Sequence, residues 1–463
     1  MLHQVVREHL ESFLAELAQE GHYLPKHVEQ EFRRYVPCGI LSEGFARIAC
    51  RDCGDELLVA FSCKGRAFCP SCCARRMSDT AAHLVDRVLP EEAPYRQWVL
   101  SYPFAVRLAL ARNAKAAAQS CKILVSEIFR FQRRLARAAG CRRPKPGAVS
   151  FTQRFGSKLN ANLHHHVVVP DGVFEEETGA QLVRVAAPKV EELARVLQRV
   201  VRRTRAMLVG RGLLEEPAPD DTLAHLQAQA VQTGMPFAPS RPRSSSRLAV
   251  DLDGYSLEAA THVHEQDRLG LEHLCRYGLR APFAQHRLKA LADGRVQLGL
   301  RRPAHDGVQA VAFTPHQFLS RLAAIVPPAR AHLTRYHGVF ANRAKLRPAL
   351  VPPPKAEQEP GAQAKSPSPL RDRKLPWADL LKRVFGEDLL TCAKCGGRRR
   401  VKAILANPQD ACEVLQELGI PAKPLRLKQA TGPPVQLDLP PPGTLDGIDP
   451  VYPGLPGLSG SLD

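Results

Sequence analysis

The sequence predicts an α+β fold in which long helices pack on an antiparallel sheet. Three features predict it: an apolar run at 98–104 followed by helical spacing over 107–140, two strand-like runs at 147–155 and 162–170, and a glycine-ended helix over 190–212. The order strand, helix, strand, strand, helix is typical of α+β domains.

The other elements follow from periodicity and from turn residues. Residues 1–20 have helical spacing with acidic side chains throughout, which favours an amphipathic helix over a secretory signal. Farther along, we expect an extended run at 254–264 and helices at 265–280 and 375–386. A cysteine-containing turn leading into a strand is expected at 391–405. The Ser/Arg/Pro-rich stretch 240–247 is expected to be a loop.

Composition limits the class of protein. Among 463 residues, 65 Lys and Arg against 46 Asp and Glu give a net charge of +19, which favours a polyanionic partner such as nucleic acid. No apolar run approaches the roughly 20 residues of a membrane helix, so we expect no membrane association. Thirteen cysteines, some in CxxC pairs, favour metal binding in a reducing compartment, the cytoplasm.

Changes in composition divide the chain into six segments. We expect an N-terminal helix, a cysteine-dense segment, an α+β domain, a Pro-rich linker, a small CxxC module and a disordered tail. They span 1–35, 36–94, 95–350, 351–375, 376–431 and 432–463, respectively.

Two CxxC pairs in the second segment predict a zinc site. Cys50 and Cys53 precede Cys69 and Cys72 by the interval with which a short hairpin gathers four thiolates around structural Zn²⁺. This segment has too few large apolar side chains for a core of its own, so the metal would supply folding free energy. Cys38, Cys63 and Cys73 are surplus, and Cys63 could replace a member of the set or a second ion could bind.

A further CxxC pair lies near the C-terminus, at Cys392 and Cys395. It precedes three consecutive arginines, and no second pair is visible nearby. It could be a metal-free turn, or Cys412 could join it as a ligand.

The run Leu163 to Gly172 contains the most informative pattern, three histidines followed by three valines. Strand alternation puts His164 and His166 on one face, where two imidazoles can hold one metal ion. His262 and His264 form a competing His-x-His pair, but charged residues follow it directly.

The helix at 265–280 carries a candidate nucleophile. Tyr277 lies beside Arg276 and Arg280, so one phenol and two phosphate-binding guanidiniums occupy about one turn. A tyrosine at this helical spacing is also a common core residue, and Tyr336 is the rival nucleophile.

Several segments together resemble a known family, the HUH-type rolling-circle transposases of bacterial insertion sequences, including the common-region elements that mobilise resistance genes. The similarity covers most of residues 30–350. It rests on the segments FSCKGRAFCPSC, RQWVLSYPFAVR, FTQRFGSKLNANLHHHVVVPDGVF, LCRYGLRAPFA and RYHGVFANRAKLR.

The resemblance implies an N-terminal transposase zinc-binding domain and a ferredoxin-like HUH endonuclease sheet. His164 and His166 would hold catalytic Mg²⁺ or Mn²⁺, and Tyr277 would cleave single-stranded DNA to leave a 5′-phosphotyrosine and a free 3′-hydroxyl. Many relatives carry a second tyrosine four residues earlier; His273 occupies that position here, which indicates the single-tyrosine variety. The match does not fix the third metal ligand, for which Gln153 on the adjacent strand is the candidate.

The predicted function is therefore transposition by nicking and rejoining one DNA strand at the element's ends. Such a transesterification needs no nucleotide, and the sequence has no phosphate-binding GxxxxGK[ST] loop. Host replication factors are further candidate partners, and nucleoid association is expected. Two alternatives stay open: a zinc-containing DNA-binding protein without catalysis, and a relaxase or replication initiator with the same chemistry.

Overall fold

The computed structural model describes residues 1–214, 248–303, 307–351, 377–385, 388–423 and 425–430. The predicted loop at 240–247, most of the predicted linker and the predicted disordered tail lie outside the described residues.

Helices and antiparallel sheets alternate along the described chain. The helices are α1 (Leu2–Gln19), α2 (Lys26–Tyr35), α3 (Pro70–Arg87), α4 (Phe104–Arg112), α5 (Ala114–Ala138), α6 (Val190–Val209), α7 (Arg268–Leu279), α8 (Pro315–Ile325), α9 (Arg347–Leu350), α10 (Trp377–Phe385) and α11 (Pro408–Glu417). The strands are β1 (Phe45–Cys50), β2 (Glu56–Ala60), β3 (Tyr95–Ser101), β4 (Pro144–Lys145), β5 (Gly147–Phe155), β6 (Ala161–Pro170), β7 (Gly172–Glu175), β8 (Gln181–Arg184), β9 (Ala249–Leu252), β10 (Tyr255–Glu258), β11 (His262–Val263), β12 (Leu288–Ala290), β13 (Val296–Gly299), β14 (Ala310–Phe313), β15 (Thr334–Gly338) and β16 (Arg399–Leu405).

A seven-stranded sheet forms the centre of the molecule. Its order is β15-β5-β6-β3-β10-β9, with β11 also paired to β3, and each pairing is antiparallel. The expected mixture of helices with an antiparallel sheet is confirmed. Strand β6 lies in the interior of this sheet, with nine of its ten residues buried or nearly so, because both of its faces are covered.

Helices cover the two faces of the sheet. On one face, α5 and α6 pack on Trp98, Leu100 and Val167, which share one apolar cluster. On the other, α3 and α7 pack on Val149, Phe151 and the residues around them. We call the second face the α7 face. The side chains at 164, 166 and 168 alternate with those at 165 and 167, so each set faces a different helical layer.

One predicted helix is two helices. The sequence between 107 and 140 predicts a single helix, but the structure breaks at Asn113, whose side-chain oxygen accepts a hydrogen bond from the Ala116 amide. Asparagine is a preferred N-cap because its oxygen satisfies an otherwise free amide, and this local gain starts a new helix.

The segment after residue 388 does not fold apart from the N-terminal part of the chain. β16 pairs antiparallel with β1 from Phe45–Leu405 to Cys50–Arg399, forming the sheet β16-β1-β2. Ala411 and Leu415 of α11 pack on Phe45. The strand expected within 391–405 is present, but its partner lies about 350 positions earlier in the chain.

A third packed region joins α1, α2 and α8 with the small sheet β12-β13-β14. Among the helices that the structure describes, none is both long and apolar enough to cross a bilayer.

Candidate active site and metal centres

The predicted histidine pair lies on the α7 face. The ring centroids of His164 and His166 are 4.9 Å apart, and the two residues are 8% and 3% exposed. The Nδ1 of His164 donates a hydrogen bond to the Asn162 carbonyl at 2.8 Å, so its Nε2 keeps its lone pair free. Both ring nitrogens of His166 are buried without a hydrogen-bond partner among the described residues.

Burial keeps both imidazoles neutral. Desolvation, reinforced by positive neighbours including Arg280, lowers the pKa of His164 to about 4 and that of His166 to about 2. Neutral imidazole is the form that ligates metals. His165, between them, faces the opposite layer, where Thr152 Oγ1 lies 3.0 Å from its Nδ1.

Helix α7 places Tyr277 beside the pair. The Tyr277 ring lies 5.7 Å from that of His166, nearly perpendicular to it, and is 40% exposed. The next residue, Gly278, allows this approach: a Cβ there would lie 2.5 Å from Cδ2 of Phe151, the strand β5 partner of His166. A phenol therefore borders both the histidine pair and solvent.

Gln153 joins the sheet to the end of α7. It pairs with His164 across β5 and β6, and its Nε2 donates to the carbonyls of Tyr277 and Gly278 at 2.8 and 3.0 Å. Its Oε1 is buried without a hydrogen-bond partner among the described residues. One side chain thus fixes the tyrosine-bearing helix and leaves an oxygen free on the same face as the two imidazoles.

The two predicted arginines differ in position. The Arg280 guanidinium lies 4.5 Å from the centroid of the Tyr277 ring, with a buried Nε that has no described partner. Arg276 instead pairs with Glu272 at 2.5 Å, one turn back along α7. Of the two, Arg280 is placed to meet an anion at the phenol.

Tyr336, the rival, lies elsewhere. Tyr336 lies in β15 and pairs with Val149 of β5, which in turn pairs with Val168 of β6. Tyr336 is therefore level with Val168, two residues along β6 from His166. It borders a cavity of about 300 Å³ that is also lined by His83, Asn342 and Arg347. The structure therefore brings Tyr277, and not Tyr336, to the histidine pair.

The competing pair His262 and His264 is also close, with ring centroids 4.7 Å apart. His262 Nε2 lies 3.3 Å from the Asp171 carboxylate, which also pairs with Arg96. The His262 and His264 pair therefore lies beside the ion pair of Arg96 and Asp171.

The predicted zinc set of Cys50, Cys53, Cys69 and Cys72 does not form one site. Cys69 and Cys72 join Cys38 and Cys63; all four sulfurs lie within 4.8 Å of one another, and three of the Sγ–Sγ distances are 3.4 to 3.8 Å. A tetrahedron of Zn–S bonds of about 2.3 Å places its sulfurs about 3.8 Å apart. We call this set the first tetrad. Hydrogen bonds among these thiols lower the pKa of Cys38 and Cys72 and raise the pKa of Cys63 and Cys69.

Cys50 and Cys53 join the C-terminal pair. Their sulfurs lie 3.4 Å from Cys395 and 3.6 Å from Cys392, respectively, and we call these four residues the second tetrad. The single-site prediction was wrong because it paired CxxC motifs that are neighbours in sequence, whereas strand pairing of β1 with β16 joins the distant ones. Cys73 and Cys412 lie in neither tetrad.

The α7 face also fits a divalent ion. It offers two neutral imidazoles, the orphaned nitrogens of His166 and the orphaned Oε1 of Gln153. Two imidazole nitrogens and one amide oxygen, with coordination positions left open, form a donor set that a divalent cation can use.

Comparison with known families identifies two regions. Residues 147–347 match the family described as "Putative transposase", and residues 5–102 match the family described as "Transposase zinc-binding domain". No curated protein and no solved structure matches the chain. The first region contains Tyr277 and the histidine pair, and the second contains the first tetrad.

The matched regions imply a DNA-processing enzyme, and the cysteine tetrads support zinc binding. More particularly, the two matched regions support a DNA transposase, whose substrate is DNA.

Proposed function

We propose that the protein transposes DNA by the rolling-circle route, nicking and rejoining one strand at the ends of its element. The observation that carries the proposal is the 5.7 Å approach of the Tyr277 and His166 rings on one sheet face. In this proposal residues 95–350 are a single-tyrosine HUH endonuclease unit with a ferredoxin-like sheet, acting in the cytoplasm on nucleoid DNA, with host replication factors as candidate partners.

The proposed chemistry is a transesterification at Tyr277. Its Oη attacks the phosphorus of a single-stranded DNA linkage, the bond to the 3′ oxygen breaks, and that oxygen leaves as a 3′-hydroxyl with the proton. The 5′ phosphate is then esterified to Tyr277. Attack by a 3′-hydroxyl of another strand reverses the step, so the bond energy is conserved and no nucleotide is consumed.

His164, His166 and Gln153 would hold the divalent ion. When bound, Mg²⁺ or Mn²⁺ polarises the scissile phosphate and offsets its developing charge. The hydrogen bond from His164 to the Asn162 carbonyl orients that ring, and Gln153 sets the distance between the sheet and the end of α7. Arg280 binds the phosphate beside the phenol.

Positive charge around the site favours DNA. Besides burial, the charges of Arg280 and Arg107 lower the pKa of His164, and the charges of Arg280 and Arg301 lower the pKa of Arg287, so these four arginines lie near one another. Together with the net charge of +19, this field would attract a phosphate backbone and weaken with salt.

The test is covalent capture of labelled DNA. Single-stranded oligonucleotides from the element's ends, incubated with the protein and Mn²⁺, should give a protein-linked label on a denaturing gel. Chelation, or replacement of His164 or His166 by Ala, should reduce it by about 100-fold or more. A DNA-binding protein without catalysis would give salt-sensitive binding and no adduct, which would refute the proposal. A relaxase or initiator would form the adduct on a different target sequence.

A further inference from the structure

The two cysteine pairs of the second tetrad have the same backbone conformation. In each knuckle the first cysteine's amide donates to the carbonyl five residues later, Cys50 to Asp55 and Cys392 to Gly397. In each, the amide of the glycine after the second cysteine donates back to the first cysteine's carbonyl, at 3.2 and 2.9 Å. These glycines, Gly54 and Gly396, have φ of +72° and +74°. Both knuckles are thus CxxCG turns that direct two sulfurs to one side.

The contact between the knuckles is close and includes ion pairs. A Cβ at Gly397 would lie 2.1 Å from Asp52 Oδ2 and 3.1 Å from the Cys50 sulfur, so the two turns pass close to each other at this point. Beside the sulfurs, Lys394 and Arg399 each lie 2.6 Å from a carboxylate oxygen of Asp55. Asp55 balances one of these two positive charges, and the other offsets part of the negative charge that four thiolates carry around one divalent ion.

The second tetrad lies where the C-terminal part of the described chain packs on the N-terminal part. Strand β16 begins four residues after Cys395 and pairs with the whole of β1. Beyond α11, the amide of Lys428 donates to the Arg7 carbonyl in α1, and the amide of Leu425 to the Glu43 carboxylate. The C-terminal segment therefore packs over the N-terminal unit at three separate points.

We propose that Cys50, Cys53, Cys392 and Cys395 bind a second Zn²⁺. Its role is to hold the C-terminal segment, residues 388–423 and 425–430, on the N-terminal zinc-binding region, residues 5–102. Half of its ligands lie outside both family regions. The soft four-thiolate donor set selects zinc over Mg²⁺ or Mn²⁺, so the ion is structural and distinct from the one on the α7 face. The inference is independent of the proposed strand-transfer chemistry.

Metal counting tests the site. The purified full chain should contain two zinc ions per molecule, and the double variant Cys392→Ser/Cys395→Ser should contain one. Cys412→Ser, a buried cysteine of the same segment outside the tetrad, should keep two. Cys395→His places another zinc ligand at the same position and should also contain two zinc ions. This result would show that the loss of zinc in the serine variant comes from the lost ligands and not from misfolding. One zinc in the wild type, or two in the double variant, would overturn the proposal.

A second measurement tests what the ion does. A specific protease site inserted between residues 352 and 376 allows the chain to be cut after folding. The two fragments of the wild type should co-elute in size-exclusion chromatography and separate on chelation, and those of the double variant should separate without chelator. Fragments that stay together equally well in both would refute the holding role. Neither measurement involves DNA, so its outcome is separate from that of the adduct test.

Discussion

The three adjacent histidines of β6 occupy two environments. His164 and His166 face α7 and Tyr277, whereas His165 is fully buried on the opposite face, against Thr152 and edge-on to Tyr102. Alternation along a strand predicts this division from sequence alone. The middle histidine therefore contributes to packing, and the outer two are available for a metal.

His165 makes folding sensitive to acid. Burial lowers its pKa to about 3, below the usual 6.5, so the stability that depends on its neutral form is complete above pH 6.5 and is lost as the pH falls toward 3. When the pH is lowered from 7.5 to 5, the free energy of unfolding should decrease for both proteins. The decrease should be about 2 kcal/mol smaller for His165→Leu than for the wild type.

Urea unfolding at the two pH values, with zinc held constant, measures this difference. His273→Gln, at an exposed position on α7, is the control and should follow the wild type. Equal pH dependence of His165→Leu and wild type would contradict the burial argument.

At the scale of elements, α7 is positioned by contacts that periodicity does not reveal. Its helical spacing predicts a helix over 265–280, where the structure has Arg268–Leu279, and strand alternation predicts the histidine pair. The bond from Gln153 to the Tyr277 carbonyl and the close approach at Gly278 depend on how α7 crosses β5. No sequence pattern fixes that crossing, so the sequence offers Gln153 as a candidate ligand on the adjacent strand but does not predict its bonds to α7.

Gly278→Ala should move α7 away from the sheet. The added methyl group would lie 2.5 Å from the Phe151 ring, so the free energy of unfolding should fall by about 1–3 kcal/mol. The rate of adduct formation should fall as well, because Tyr277 shifts from the histidine pair. Leu269→Ala, at an exposed position of the same helix about two turns before Tyr277, should leave both quantities unchanged. A Gly278→Ala variant as active and as stable as the wild type would show that the contact is not limiting.

Arg383 connects α10 to α7. From α10 it pairs with Asp86 of α3 at 2.5 Å and with Glu272 of α7 at 2.7 Å, and Glu272 also holds Arg276. It is a positioning residue, since it touches the helix and not the site. Arg383→Ala should slow adduct formation at saturating DNA by up to about 10-fold, with the half-saturating DNA concentration unchanged.

Arg383→Lys should restore part of that rate, because a lysine can still pair with one of the two carboxylates. Single-turnover kinetics over a range of DNA concentrations separates the two parameters. A change confined to the half-saturating concentration would instead make Arg383 a DNA contact.

At the scale of the whole molecule, the chain closes on itself through its cysteines. Spacing rules group ligands that are near in sequence, and for that reason Cys50 and Cys53 were assigned to the CxxC pair that follows them. The better signal is local: Cys53 and Cys395 are each followed by glycine, whereas Cys72 is followed by Cys73 within α3. Matching turn types, and not the interval between pairs, identifies the partners.

The most direct test of the central claim is to locate the DNA-linked tyrosine. Wild type, Tyr277→Phe and Tyr336→Phe are compared with labelled single-stranded element ends and Mn²⁺, and the linked peptide is identified by mass spectrometry. We predict an adduct in the wild type and in Tyr336→Phe, none in Tyr277→Phe, and a phosphotyrosyl peptide containing residue 277. An adduct that survives in Tyr277→Phe and is lost in Tyr336→Phe would contradict the account.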